Sequence, residues 1–161
     1  MSTAEMPEEA NLQTGLSRAE WLGILSRAQP GDLARLAAPI LKDLVFDWLR
    51  PPQVGLAMVR GRAGGTGTVF NLGEMTLTRC SVRLESGTVG HGFAQGRNRL
   101  HAEQVALLDA LLQSEECRAD LVACVILPLK SLEDGRRRER SLKAAATKVE
   151  FFTMVRGENP K

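Results

Sequence analysis

The residues of this sequence that look most like catalytic machinery are His101-Ala102-Glu103, at the start of an expected helix. Zinc-dependent nucleobase deaminases use His-x-Glu in that setting, with the imidazole on zinc and the carboxylate moving protons. They also need Pro-Cys-x-x-Cys downstream, because two thiolates complete the protein's share of the zinc shell. Here Cys117 and Cys124 stand seven positions apart and neither follows a proline. The motif is half present, and a stand-alone zinc deaminase is the runner-up reading. The plain alternative is structural. His101 lies in line with Val105, Leu108 and Leu112 at helical spacing, so its ring extends an apolar stripe. A place in the first turn also disfavours the charged imidazole, since the helix dipole is positive there.

A second group could bind anions. Gly64-Gly65-Thr66-Gly67 has consecutive amides able to turn on a phosphate, with Gly65 and Thr66 at its centre. It lacks the Gly-Lys-Ser/Thr of a P-loop, and a flexible turn between strands is the simpler reading. Arg79 and Arg83 are four apart in an expected strand, so they share one face about 13 Å apart. Arg97 and Arg99 flank the next helix start. These arginines suit an anionic substrate or an acidic partner surface, or are simply solvated. The run Arg136-Arg137-Arg138-Glu139-Arg140 reads as a solvated helix face, having no aromatic platform for nucleic acid. At the far end, Phe151 and Phe152 would point to opposite sides of a strand, followed by Met154. Two-sided apolarity there implies either a central place in the sheet or a covering partner, so these three are candidate interface residues.

The elements that must position these residues follow from pattern. The chain has 161 residues, 43% hydrophobic and 25% charged, which fits one globular domain. Net charge is +2, too small to argue for nucleic acid or an anionic membrane. Three cysteines give no disulfide framework, and no signal peptide or membrane span is expected, so the chain reads as cytoplasmic. Residues 1–16 read as a loose tail and 17–161 as the domain. Ser17 and Glu20 form a capping box before a helix carrying Trp21, Ile24 and Leu25. A second helix opens at Pro30 and Asp32, and Pro39 should kink or end it. Val45–Arg50 and Val54–Arg62 read as two strands parted by Pro51-Pro52. Thr76–Leu84 and Thr88–Gln95 read as a hairpin around Ser86-Gly87. Asn98 caps a helix to about Gln113. Leu121–Leu129 reads as a buried strand closed by Pro128. Ser131 to Asp134 opens a charged helix to about Lys148, and Val149–Val155 is a last extended segment. The expected fold is α+β, a mainly antiparallel sheet with helices packed on it.

An ordered set of these pieces resembles the PhnG family of the bacterial carbon–phosphorus lyase core complex. It comprises Gly64-Gly65-Thr66-Gly67 with Phe70 and Gly73, Thr76-Leu77-Thr78-Arg79, Val82-Arg83-Leu84, Gly87-Thr88 and Gly90. Gln95-Gly96-Arg97, His101-Ala102-Glu103, Ala106 to Leu111 and Phe151 to Gly157 continue it in order. The resemblance spans roughly residues 17–159 and implies a role in phosphonate use. It implies assembly with PhnH-, PhnI- and PhnJ-type subunits, and with PhnL- or PhnK-type ATPase-like partners. It further implies support for a step in which methylphosphonate displaces adenine from ATP, giving α-D-ribose 1-methylphosphonate 5-triphosphate. Iron–sulfur radical chemistry then belongs to other subunits, since such a cluster needs grouped thiolates and three scattered cysteines do not supply them. No metal or cofactor is expected on this chain alone. A direct catalytic share would fall to Arg97, His101 and Glu103, grouped near one helix start.

Overall fold

The computed structural model describes residues 15–147. The N-terminal tail and the segment with Phe151, Phe152 and Met154 lie outside the described residues. In chain order the elements are α1 (Arg18–Arg27), α2 (Pro30–Leu41), β1 (Phe46–Arg62), β2 (Val69–Leu84), β3 (Val89–Gln95), α3 (Arg99–Leu112), α4 (Glu115–Leu121), a π-helical turn (Val122–Ile126) and α5 (Leu127–Ala146). The strands form one antiparallel sheet in the order β1-β2-β3. The α+β class expected from the sequence is the class observed.

Local chemistry explains several boundaries. Ser17 and Glu20 close the capping box at α1, with the Ser17 amide 2.7 Å from Glu20 Oε2. Asn98 Oδ1 accepts the His101 amide at 3.0 Å and starts α3. Pro39 lies inside α2, which stops two residues later at Leu41. Gly87 takes a φ of 84° in the turn between β2 and β3, where a side chain would be strained.

Three expectations are corrected. Val45–Arg50 and Val54–Arg62 are one strand, β1, not two. β1 is an edge strand, so Pro51 and Pro52 sit where a missing N–H is tolerated, and register shifts on either side of Arg50 absorb the extra residues. The sheet therefore has three strands among the described residues, not four. Leu121–Leu129 is helical, not a strand. Its buried members Leu121, Val122, Val125, Ile126 and Leu129 follow the helical period. The outward positions hold Ala123 and Cys124, which read as apolar and hide that period. Ser131 is not a cap but lies inside α5, which continues helical backbone from α4 through the π turn.

Helix α3 is the centre of the molecule. On one side Ala102, Ala106 and Ala110 meet the sheet beneath Cys80, Val82, Leu84 and Ala94. On the other, Val105, Leu108 and Leu112 pack against α1, α2 and the α4–α5 helix through Leu25, Leu33, Val125, Ile126 and Leu129. The small residues on the sheet side let strand and helix approach closely. A Cβ on Gly90 would overlap the Ala106 carbonyl oxygen, and one on Gly92 the Ala102 carbonyl oxygen. α5 is tied back by Arg27 to Glu133 and Arg136 to Asp32, both at 2.8 Å.

Candidate functional site

Among the described residues the sheet is covered on one face only. Along β2, Thr78, Cys80, Val82 and Leu84 are buried against α3, so Arg79, Ser81 and Arg83 face outward. Along β3, Gly90, Gly92 and Ala94 are buried, so His91, Phe93 and Gln95 face outward too. Register then gathers what the chain keeps apart. Ser81 lies opposite Arg50 of β1 on one side and opposite His91 of β3 on the other. Ser81 Oγ is 2.9 Å from His91 Nδ1. Arg79 and Arg83 flank Ser81 along β2, each about 7 Å away. Arg79 lies opposite Gln53 and Phe93, and Arg83 opposite Asp47. The result is a small hydroxyl ringed by three arginines and an imidazole, with the exposed Phe93 ring beside it.

The charge here is weakly compensated. Arg83 reaches Asp47 at 3.4 Å, with both side chains exposed. Among the described residues, Arg50 and Arg79 have no carboxylate within 4 Å. A second basic region differs. A cleft of about 630 Å³ is lined by Arg27, Arg136, Arg140 and Lys143 with Glu133 and Glu139. Three of its cations already hold carboxylates: Arg27 with Glu133, Arg136 with Asp32, and Lys143 with Glu139 at 2.7 Å. The open face is the less compensated of the two.

The remaining sequence candidates are scattered. His101 is buried, and its Nε2 donates to the Leu25 carbonyl oxygen at 2.9 Å. That bond ties α3 to α1. Glu103 points elsewhere. It is half-buried near Cys80, burial pushes its carboxyl above the ordinary range, and burial first, its charge second, push the Cys80 thiol up to about 12. The two residues of the half-motif therefore serve different neighbours, and nothing among the described residues supports a deaminase site. Arg97 lies exposed on the turn before α3. Gly65 and Thr66 sit exposed beyond the ends of β1 and β2, where Gly64 and Gly65 take left-handed backbone to reverse the chain.

Two features escaped the sequence reading. One is Asp109, a fully buried carboxylate in an apolar helix. Its oxygens accept from Arg18 Nε at 3.0 Å and Nη2 at 2.6 Å, from Trp21 Nε1 at 3.0 Å and from the His91 amide at 2.9 Å. The Arg18 guanidinium, hydrogen-bonded to it, is held above its already high value. A carboxylate inside Leu107-Leu108-Asp109-Ala110-Leu111 was the available signal, since such a group must be paired when buried. The other is an arm. β3 pairs β2 only from Leu77 to Arg83, yet β1 and β2 stay paired out to Arg62 and Val69. About 25 Å of two-stranded ribbon therefore runs past the third strand. Leu56 is 66% exposed, Met58 53%, Phe70 45% and Leu72 64%. Leu56 and Met58 share one side, while Phe70 and Leu72 approach Gly61 on the other.

The face and the arm both fall inside a stretch with known relatives. A family model described as phosphonate metabolism protein PhnG matches residues 16–157. The chain belongs to the PhnG family. It is 40% identical over 161 residues to the α-D-ribose 1-methylphosphonate 5-triphosphate synthase subunit PhnG of Rhizobium meliloti (strain 1021), covering 99% of each chain. Every element of the fold lies within the PhnG match. No helix among the described residues is long and apolar enough to cross a membrane.

Proposed function

We propose that this chain is a subunit of a cytoplasmic α-D-ribose 1-methylphosphonate 5-triphosphate synthase, and that it works mainly by building and holding the complex. In that complex methylphosphonate displaces adenine from ATP. Membership of the PhnG family and the name carried by the relative support the activity. The observation that carries the assembly role is the arm. A two-stranded ribbon is marginal alone, and one with apolar residues on both sides needs a cover. Its partners are PhnH-, PhnI- and PhnJ-type subunits, with PhnL- or PhnK-type ATPase-like proteins joining for the nucleotide step. Iron–sulfur radical chemistry falls to those subunits, since Cys80 is buried in the sheet while Cys117 and Cys124 lie on the helical side.

The test is co-purification. The chain co-expressed with the other subunits should be recovered in one complex that releases adenine from ATP and methylphosphonate. Leu56→Lys combined with Met58→Lys should leave the chain folded, with stability changed by about 0.5 kcal/mol or less because both sites are exposed. The variant should drop out of the complex. Full incorporation of the variant would remove the arm from the assembly role. Unchanged adenine release without the chain would remove the chain from the synthase.

A further inference from the structure

We propose that the open face of the sheet holds the phosphates of a triphosphate ester, with Ser81 at the centre and Arg50, Arg79 and Arg83 around it. The inference rests on the reading of the chain as a synthase subunit and adds a ligand class for this face.

Geometry and charge carry the argument. Ser81 is a small outward side chain, opposite Arg50 on one side and His91 on the other, with Arg79 and Arg83 next along its own face. Arg79 and Arg83 stand two residues to either side of it, so with Arg50 three cations share this face. The described residues supply only the exposed Asp47. Each guanidinium offers a planar fork of donors suited to phosphate oxygens. Sites about 13 Å apart at the backbone, reached by such stems, suit a chain of phosphates better than a single one. The hydrogen bond between Ser81 and His91 Nδ1 fixes the hydroxyl and leaves ring Nε2 for the ligand. His91 is itself held, because its amide donates to buried Asp109. Phe93, 41% exposed beside Arg79, offers an apolar ring on which a base or sugar can rest. The charged side chains of α3 do not compete, since α3 packs on the opposite face.

The experiment measures equilibrium binding of labelled inorganic triphosphate to the purified complex, at fixed salt. Arg79→Ala with Arg83→Ala should weaken binding by about tenfold or more, as should Arg50→Ala with Arg79→Ala. Arg137→Ala with Arg138→Ala on α5 should leave it unchanged. ATP binding more tightly than inorganic triphosphate, with the advantage lost in Phe93→Ala, assigns the nucleotide as the source. Equal binding of the two assigns a sugar triphosphate. Binding indifferent to all the sheet-face changes overturns the proposal. So does a complex that binds no triphosphate but falls apart when Arg79→Glu and Arg83→Glu are introduced, since an acidic protein surface then occupies the face. The readout is binding, so it is independent of the synthase reading. A complex that releases adenine without using this face sinks only the inference. Triphosphate binding by a chain that plays no part in adenine release sinks only the reading.

Discussion

The two faces of one three-stranded sheet follow opposite rules. Beneath it, Gly90, Gly92 and Ala94 meet Ala102, Ala106 and Ala110 of α3 at close range, and every buried side-chain polar atom among the described residues has a partner. Above it, arginines, a serine, a histidine and a phenylalanine stand open, and β1 and β2 run on into a ribbon that nothing among the described residues covers. The same strands make both faces, so the difference comes from which residues alternate. The described residues complete one side and present the other. A self-sufficient enzyme would enclose its reacting groups, whereas a subunit needs one rigid side to display a second.

The comparison can be broken hardest at Asp109. Asp109→Ala removes a buried acceptor and leaves the Trp21 and His91 N–H groups without a partner and Arg18 without its anion. Each buried N–H left unpaired costs about 1–3 kcal/mol. The half-exposed Arg18 is screened by solvent and adds little. The covered side should therefore fail first, read as a lower urea midpoint. A drop under 1 kcal/mol would mean that the lock is replaceable. Next come Gly90→Ala and Gly92→Ala. Each added methyl meets helix backbone rather than a flexible side chain, so strand and helix must separate, at about 1–3 kcal/mol or more. Gly55→Ala, on edge strand β1 opposite the last β2 residue that β3 pairs and with free space around it, is the control and should not destabilise.

Much of the covered side was legible in the sequence, because its signals are local. The capping box at Ser17, the Asn98 cap and the Gly87 turn each involve residues within four positions of one another. The alternation of Thr78, Cys80 and Val82 with Arg79, Ser81 and Arg83 also marks two faces. The open face was only half legible. Arg79 and Arg83 share a strand, but Arg50, Ser81 and His91 meet only through register, and two irregularities around Pro51-Pro52 shift that register in β1. The arm was missed for the same reason: its length follows from where β3 stops, not from any residue in it. His101 and Glu103 misled in the other direction, being neighbours in sequence that a helix turns toward different elements.

The smallest effect sharpens the boundary between the faces. Glu103 sits at the seam of α3 and the covered side, and burial holds its carboxyl above the ordinary 4.5. A carboxyl that binds its proton more tightly folded than unfolded contributes fully below the unfolded value, and that contribution is lost as pH rises through the folded one. The sign is therefore opposite to that of Glu20. Its carboxyl is lowered by the Ser17 hydrogen bonds, so it contributes above its unfolded value and loses that as pH falls through the folded one. Glu103→Gln should flatten the pH profile and raise the thermal midpoint relative to the parent above the folded value, with the two converging below pH 4.5. If the parent instead gained on the variant as pH rose, the charged form would be the stabilised one. The seam would then have to be counted with the open face.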